Sequence, residues 1–301
     1  MCKIDRAMTA RQKFRLRLPT RTLVLGERTL LMGVVNVTPD SFSDGGLYLE
    51  TDAAVEHALA LEQAGADILD IGGESTRPGA EPTPPQVEMD RVLPVIENLR
   101  GRVKIPISID TRRAEVAEQS ARAGAEILND VTALRDDPEM ANVARRHKLP
   151  VILMHMRGTP KTMQKQPFAR NVIRDVRAGL EAAIRRALDG GLERRQLLID
   201  PGIGFGKSFQ QNFELLARLW EFEDLGLPLV VGTSRKMFVG NALGGAAANE
   251  RVWGTAATVT AAVLGGAHIV RVHDVREMAQ VVKVTDAMLE AGGRISFVRK
   301  A

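Results

Sequence analysis

Short, nearly continuous apolar runs recur along the chain from residue 30, and stretches with the spacing of amphipathic helices separate them. Continuous rather than alternating apolar runs are typical of strands buried on both faces of a parallel sheet. The sequence contains eight such runs, at residues 30–37, 67–72, 105–110, 125–131, 150–156, 197–202, 228–234 and 268–274. Helical patterns follow them, for example at residues 52–64, 112–123, 172–188 and 276–291.

This alternation, without a Pro-, Gly- or Ser-rich linker, predicts an α/β protein built as a single (β/α)8 TIM barrel. A doubly wound open sheet is the alternative. Residues 14–18 and 22–25 alternate polar and apolar positions around Pro19, which predicts an N-terminal β-hairpin that closes the bottom of the barrel. We therefore predict a basic extension and hairpin over residues 1–28 and the barrel over residues 29–301.

Charge and composition narrow the class of protein. The formal net charge is +4, but residues 1–28 alone carry +6, which leaves −2 for the predicted barrel. A barrel without a basic excess is not expected to bind nucleic acid. The chain has no apolar run of membrane-spanning length and no hydrophobic N-terminal region, which predicts a soluble, cytoplasmic protein without a membrane partner. The single cysteine, Cys2, excludes an internal disulfide and a multi-cysteine metal site.

Polar residues cluster where the predicted strands end, and in a (β/α)8 barrel those ends and the following loops form the active site. Two of these loops, residues 38–50 and 73–85, are longer than most βα connections, which favours a functional role. The strand-end residues are Asn36, Glu74, Asp110, Asn129, Asp130, His155, Asp200, Ser234, Arg235, Lys236, Arg271, His273 and Asp274. Helix capping is an alternative for Asp130, Ser234 and Asp274, and a packed structural role is favoured for His155.

The strand-end residues offer two kinds of chemistry. Acceptor oxygens suit a flat heterocycle with adjacent N–H donors, such as a pterin or guanine, and are supplied by Asp110, Asn129 and Asp200. Donors and positive charge suit a diphosphate, and are supplied by Asn36, Lys236, Arg271 and His273. Together they predict a site for a heterocycle that carries phosphates.

The glycine-rich segment D-P-G-I-G-F-G-K-S at residues 200–208 is similar to a nucleotide-binding P-loop but departs from its pattern. A P-loop needs a glycine five positions before the Gly of G-K-S, and that position is Pro201. Because proline lacks the backbone N–H that would bind phosphate, we expect Asp200 to be the functional residue and the glycines to allow a tight turn beneath a flat ligand.

Two long motifs resemble the signatures of dihydropteroate synthases: N-V-T-P-D-S-F-S-D-G-G at residues 36–46 and G-G-E-S-T-R-P-G at residues 72–79. Five shorter segments are similar to the same family in the same order: S-I-D-T, N-D-V, D-P-G-I-G-F-G-K, G-T-S-R-K and R-V-H-D-V. The resemblance extends from residue 30 to residue 290. It implies a homodimeric, Mg²⁺-dependent transferase of folate biosynthesis, which condenses 6-hydroxymethyl-7,8-dihydropterin diphosphate with 4-aminobenzoate to give 7,8-dihydropteroate and diphosphate.

The resemblance also implies a role for each matching residue. The pterin would be held by Asp110, Asn129, Met154, Asp200, Phe205 and Lys236. The diphosphate would be held by Asn36, Arg271 and His273, with Mg²⁺ at Asn36 and Asp44. The aminobenzoate pocket would be formed by Phe42, Thr76, Arg77, Pro78 and Lys236. The catalytic residues would be Asp44, Asp110, Lys236, Arg271 and His273.

One position departs from the family pattern, which often has serine where this chain has Met237. Methionine offers no hydroxyl to the aminobenzoate carboxylate, so we expect that group to use backbone N–H donors of the following helix, with Arg77 or Arg235. Two alternatives to a synthase follow: a pterin-binding paralogue without synthase activity, and a methyltetrahydrofolate-binding domain.

Overall fold

The computed structural model describes residues 11–38, 46–75, 79–159, 161–163 and 170–292. Ten strands occur in these ranges: β1 Phe14–Arg17, β2 Thr22–Leu25, β3 Leu30–Asn36, β4 Ile68–Gly72, β5 Ile107–Asp110, β6 Ile127–Asp130, β7 Val151–Met154, β8 Leu197–Asp200, β9 Val230–Gly232 and β10 Ile269–Val272. The same ranges contain nine α-helices: α1 Gly46–Gln63, α2 Pro85–Leu99, α3 Ala114–Ala123, α4 Met140–His147, α5 Val172–Asp189, α6 Phe209–Ala217, α7 Met237–Ala242, α8 Val252–Leu264 and α9 Val275–Gly292.

Strands β3 to β10 form one parallel sheet in the order β8-β7-β6-β5-β4-β3-β10-β9. The two strands at the ends of that order, β8 and β9, are joined by a parallel bridge between Ile199 and Leu229, and Ile199 N–H donates to the Pro228 carbonyl at 3.0 Å. The sheet therefore closes on itself, which confirms the predicted (β/α)8 barrel and excludes the doubly wound alternative.

Successive residues of each strand face opposite sides of the sheet, and this alternation separates two environments. In β4, Leu69 and Ile71 pack outward in the main core beneath the helices, whereas Ile68 belongs to a second cluster inside the barrel. Asp70 and Gly72 have the same parity as Ile68 and therefore also face inward. All the barrel strands except β5 thus carry apolar residues low in the interior, and several strands carry polar residues higher up, towards the C-terminal mouth.

The hairpin of β1 and β2 closes the lower end of the barrel, as predicted. The two strands pair antiparallel, from Phe14 opposite Leu25 to Arg17 opposite Thr22. The buried Leu16 and Leu25 join the inner apolar cluster, whose barrel members are Leu30, Met32, Ile68, Ile127, Ile152, Leu198, Val230 and Ile269. The lower end of the interior is consequently apolar, and the polar residues lie above it, towards the opposite end. The division of the chain at residue 28 stays a prediction.

The four helices with predicted bounds, now α1, α3, α5 and α9, lie close to those positions, and the largest difference is that α1 begins at residue 46 rather than 52. Among the helices that the structure describes, none is both long and apolar enough to cross a membrane.

Candidate active site at the mouth of the barrel

The barrel brings together every predicted site residue that lies within the described ranges. These residues stand at the C-terminal ends of the strands or just beyond them: Asn36, Asp110, Asn129, Met154, Asp200, Phe205, Lys236, Arg271 and His273. Five other predicted site residues lie outside the described residues: Phe42, Asp44, Thr76, Arg77 and Pro78.

Arg271 forms the centre of a charged cluster that links three strands. Its Nε donates to Asp70 Oδ2 at 2.6 Å, and its Nη2 donates to Asp110 Oδ2 at 2.8 Å. Asn129 Nδ2 donates to the same Asp70 oxygen at 3.1 Å. Asp70 was not among the site residues predicted from the sequence. Its position two residues before Gly72 could have identified it, because that spacing places Asp70 on the inward face of β4.

Burial and charge shift the ionisation of this cluster. Burial raises the pKa of Asp110 to about 7, because the favourable contribution of Arg271 does not compensate for desolvation and the nearby Asp70. Burial likewise raises the pKa of Asp200. Burial alone would lower the pKa of Arg271, but Asp70 and Asp110 raise it by more, so the guanidinium stays charged.

Lys236 and Phe205 form a second part of the mouth, beside Asp200. The Lys236 ammonium lies 4.6 Å from the centre of the Phe205 ring, a cation–π arrangement, and donates to the Ile203 carbonyl. Burial lowers the pKa of Lys236 to about 8, although Asp200 opposes the shift. Phe205 packs on an apolar group formed by Val131, Met154, Met156 and Met163. A flat apolar wall therefore adjoins the charged cluster.

The glycine segment after β8 is held in a tight turn by a buried lysine that the sequence reasoning did not identify. Lys207 Nζ donates to the carbonyls of Gly202, Phe205 and His155 at 2.7, 3.0 and 3.0 Å. A Cβ at position 202, where φ is +65°, would lie 1.9 Å from the His155 carbonyl oxygen, so only glycine fits. The Gly202 N–H donates to Asp200 Oδ1 at 2.7 Å.

His155 is a packed residue, in agreement with the structural role favoured from the sequence. Its Nδ1 lies 2.9 Å from Lys207 Nζ, and its Nε2 lies 3.8 Å from Asp175 Oδ2. Burial keeps the pKa of His155 well below its ordinary value, and the neighbouring Lys207 acts in the same direction. The imidazole is therefore neutral and serves the packing beneath the glycine turn.

Asp130 stabilises a loop rather than capping a helix. One carboxylate oxygen accepts hydrogen bonds from the Thr132 N–H and hydroxyl, both at 2.8 Å, and the other accepts the Leu134 N–H at 2.7 Å. Asp130 faces the opposite side of β6 from Asn129, so it does not contribute to the mouth.

The segment after β9 is tied to the segment after β10. Arg235 donates to Asp274 through its Nε at 3.1 Å and through Nη2, so its guanidinium is already paired. Ser234 Oγ accepts the His273 N–H at 3.2 Å and lies 3.0 Å from His273 Nδ1. The side chains of Ser234 and Asp274 thus each bond to the other segment, instead of capping a helix as the sequence also allowed. Met237, at the first position of α7, is 57% exposed.

An ion-pair network holds the base of the second long loop. Glu74 accepts hydrogen bonds from Arg112 Nε at 2.9 Å, from Arg113 Nη2 at 3.0 Å and from the Thr83 N–H at 2.9 Å. Burial would raise the pKa of Glu74, but these hydrogen bonds outweigh it and lower the pKa. Glu74 was predicted at the mouth, and its contacts assign it to anchoring the loop.

These features define a class of protein: a parallel barrel with a mouth that combines buried carboxylates, fixed cations and an apolar wall. Comparisons with known proteins identify the class more closely. The family model described as "Pterin binding enzyme" matches residues 32–273. A dihydropteroate synthase from Synechocystis is 49% identical over 263 residues, which cover 87% of this chain and 91% of that protein.

Solved structures agree in fold and sequence. The Yersinia pestis dihydropteroate synthase, solved with a sulfonamide drug complex, has a TM-score of 0.87 and 43% identity, covering 92% of this chain and 100% of the other. The Xanthomonas albilineans dihydropteroate synthase, solved with 4-aminobenzoic acid, has a TM-score of 0.87 and 43% identity, covering 93% and 99%. The chain belongs to the dihydropteroate synthase family of pterin-binding enzymes, which are transferases. The predicted family is thereby confirmed.

Proposed function

We propose that this protein is a dihydropteroate synthase, which joins 6-hydroxymethyl-7,8-dihydropterin diphosphate to 4-aminobenzoate and releases diphosphate. The observation that carries the proposal is the arrangement at the barrel mouth, where Asp110 and Asn129 present acceptors beside the charged Arg271. A reduced pterin needs acceptors for its adjacent N–H donors, and its diphosphate needs fixed positive charge.

The pterin ring lies, in this proposal, between the apolar wall and the buried acceptors. Asp110, Asn129 and Asp200 accept its N–H groups, and Lys236 donates to an acceptor of the ring. Met154 and Phe205 cover its face, supported by the apolar group described above. The glycine turn held by Lys207 keeps this side of the site in shape.

The diphosphate lies next to the pterin acceptors, on the β3 and β10 side of the mouth, held by Asn36, Arg271 and His273. Asn36, which ends β3 half-buried and offers an amide oxygen, would hold Mg²⁺ there together with Asp44, which lies outside the described residues. Within the ranges that the structure describes, acidic and histidine side chains form no cluster that could hold a metal alone. A bound Mg²⁺ would neutralise negative charge on the leaving diphosphate.

The aminobenzoate site is built from the two long loops, through Phe42, Thr76, Arg77 and Pro78, together with Lys236. Its carboxylate is bound without a hydroxyl from position 237, where the methionine side chain is exposed. Arg235 is paired with Asp274, so Arg77 is the better cationic candidate for this carboxylate.

In this reaction the protein stabilises charge and excludes water rather than activating a nucleophile. Arg271 and His273 stabilise the negative charge that grows on the departing diphosphate. The carboxylates of Asp110 and Asp200 offset the positive charge that develops on the pterin methylene. The aminobenzoate amine is nucleophilic when neutral, so the barrel's main contribution is to position it. Lys236 and Asp44 complete the proposed catalytic set.

The proposal is tested by measuring diphosphate release from the dihydropterin diphosphate with Mg²⁺, in the presence and absence of 4-aminobenzoate. Release that depends on aminobenzoate and yields dihydropteroate supports the synthase. Pterin binding without turnover would indicate the non-catalytic paralogue, and preferential binding of methyltetrahydrofolate would indicate the methylfolate-binding class.

Pterin affinity is expected to be highest between about pH 7 and pH 8. Burial raises the pKa of Asp110 to about 7, so the carboxyl is protonated below that pH. Its O–H then faces an N–H of the pterin, and because both groups are donors the affinity falls. Above the Lys236 pKa of about 8, the lysine loses its charge and the affinity falls again. Titration calorimetry between roughly pH 5.5 and pH 9 measures the profile. Asp110→Asn should flatten its acid limb, and an unchanged limb in that variant would contradict the assignment.

A homodimer remains our expectation for the assembly, supported by apolar side chains exposed on the last two helices. Trp253 of α8 is 76% exposed, and Val284 of α9 is 62% exposed. Sedimentation velocity should give a mass near twice that of the 32.8 kDa chain, and a monomer at micromolar concentration would contradict the expectation. Cytoplasmic localisation and the absence of nucleic-acid and membrane partners also remain predictions.

A further inference from the structure

Asp70 is a fully buried acid that lies below the mouth and outside the proposed catalytic set. It occupies the middle of β4 and faces into the barrel, one inward position beneath Gly72. One position lower on the same face is the apolar Ile68, which belongs to the inner cluster. An ionisable residue at this depth requires a specific explanation, since burial of a carboxylate is costly unless it is paired.

Packing alone does not explain Asp70. Its Oδ1 and the neighbouring Ser108 Oγ are both buried without a hydrogen-bond partner among the described residues. A buried polar atom left in this way costs roughly 1–3 kcal/mol. An apolar side chain would avoid that cost, so the benefit of Asp70 lies in what its other oxygen does.

The other oxygen, Oδ2, determines which way the Asn129 amide is turned. An ionised carboxylate only accepts hydrogen bonds, so the amide must direct its NH2 group towards Asp70, as the 3.1 Å contact records. The Asn129 carbonyl oxygen consequently points away from Asp70 and is available as an acceptor. Without Asp70, the amide could rotate and present a donor in its place.

The same oxygen also fixes the Arg271 guanidinium. Arg271 Nε bonds to Asp70 and Nη2 bonds to Asp110, so carboxylates on two adjacent strands set the plane of the group. With a single carboxylate partner, the guanidinium of the long Arg271 side chain could still rotate about that one ion pair. The remaining N–H donors therefore project in a defined direction.

We propose that Asp70 is a positioning residue for the active site: it sets the amide orientation of Asn129, which selects a ligand with N–H donors at the ring edge, and it sets the guanidinium plane of Arg271. The identity of the ligand rests on the proposed function, whereas the contacts of Asp70 with Asn129 and Arg271 do not. Asp70 acts through Asn129 and Arg271 and does not itself touch the substrate.

Two substitutions separate the charge of Asp70 from its acceptor oxygen. Asp70→Ala removes the acceptor, and we expect it to weaken pterin binding roughly 10- to 100-fold, because Asn129 is no longer oriented. Asp70→Asn keeps an oxygen and should have a smaller effect. Ser108→Ala is the matched control, since it removes a polar atom at the same depth while leaving Oδ2 in place. It should change affinity by less than about twofold.

A double-mutant cycle with Asn129→Ala distinguishes positioning from a general structural effect. If Asp70 acts through Asn129, the loss caused by Asp70→Ala should shrink substantially in the Asn129→Ala background. In the ligand-free protein, the side-chain ¹⁵NH₂ resonances of Asn129 should shift in both Asp70 variants and not in Ser108→Ala.

The outcomes are distinguishable from failure of the proposed function. If the unaltered protein does not bind the pterin, that function is wrong, but the ¹⁵N shifts still test the inference. Unchanged Asn129 resonances in Asp70→Asn would overturn it, as would fully additive losses in the cycle. If Asp70→Ala does not fold, Asp70→Asn provides both the affinities for the mutant cycle and the Asn129 resonance shifts. Resonance shifts together with coupled losses would support the positioning role.

Discussion

Arg271→Met is expected to lower the free energy of unfolding by about 3–5 kcal/mol at pH 8 and to abolish most turnover. The reason is the pair of carboxylates that Arg271 holds, since Asp70 is fully buried and Asp110 is nearly so. Removal of the guanidinium leaves both charges in the barrel without a cation, and the protein must either protonate them or admit water. Methionine keeps much of the volume of the side chain, so packing changes little.

The loss should depend on pH with a defined sign. An acid whose pKa is raised in the folded state destabilises the protein above that pKa and ceases to do so below its unfolded value. Both proteins share the same unfolded state, so the deficit depends on the pKa of Asp110 in the two folded states: about 7 with Arg271 present, and higher without it. The Asp110 part of the deficit should therefore shrink as the pH falls towards about 7. Chemical denaturation at several pH values measures it.

Arg28→Met supplies the control for Arg271→Met. Arg28 also binds an aspartate through two nitrogens, Asp67, but its side chain is 59% exposed. Solvent screens such a pair, so its removal should cost less than about 1 kcal/mol at every pH. Equal losses of unfolding free energy in the two variants would show that the burial of Arg271 does not increase its contribution to stability.

The sequence was sufficient to predict the barrel because its strands are buried on both sides. Such strands appear as continuous apolar runs, and all eight predicted runs contain a barrel strand. Prolines account for several of the boundary differences. Strands β5, β7 and β9 begin after Pro106, Pro150 and Pro228, because proline cannot donate to a neighbouring strand.

The mouth was predictable for the same structural reason, since residues at the ends of parallel strands must meet. The pairing among them was not predictable. Asp70 and Arg271 are 201 residues apart, and nothing local in the sequence connects them. Arg271 was predicted as a diphosphate ligand and catalytic residue, whereas its guanidinium also organises two carboxylates. Lys207 belongs to the P-loop-like segment, and its three carbonyl partners come together only when the glycine turn is folded.

Asp200→Ala is expected to weaken pterin binding by roughly 2–4 kcal/mol, the largest loss of affinity among the pterin contacts. Asp200 accepts the Gly202 N–H through Oδ1, so its carboxylate is held rigidly at the end of β8 before the ligand arrives. A charged acceptor fixed in this way forms short, strong bonds to ligand donors, and its loss leaves those donors buried and unpaired.

The Gly202 contact also means that Asp200→Ala could act through the loop instead of through the ligand. Asp130→Ala separates the two explanations, because Asp130 is an equally buried strand-end acid that binds only its own loop among the contacts found. It should lower stability and leave pterin affinity within about threefold of the unaltered protein. Calorimetric titration of both variants with the dihydropterin measures the difference. Near-normal affinity in Asp200→Ala would remove Asp200 from the site, and equal losses in both would make loop order, not the Asp200 charge, the source of affinity.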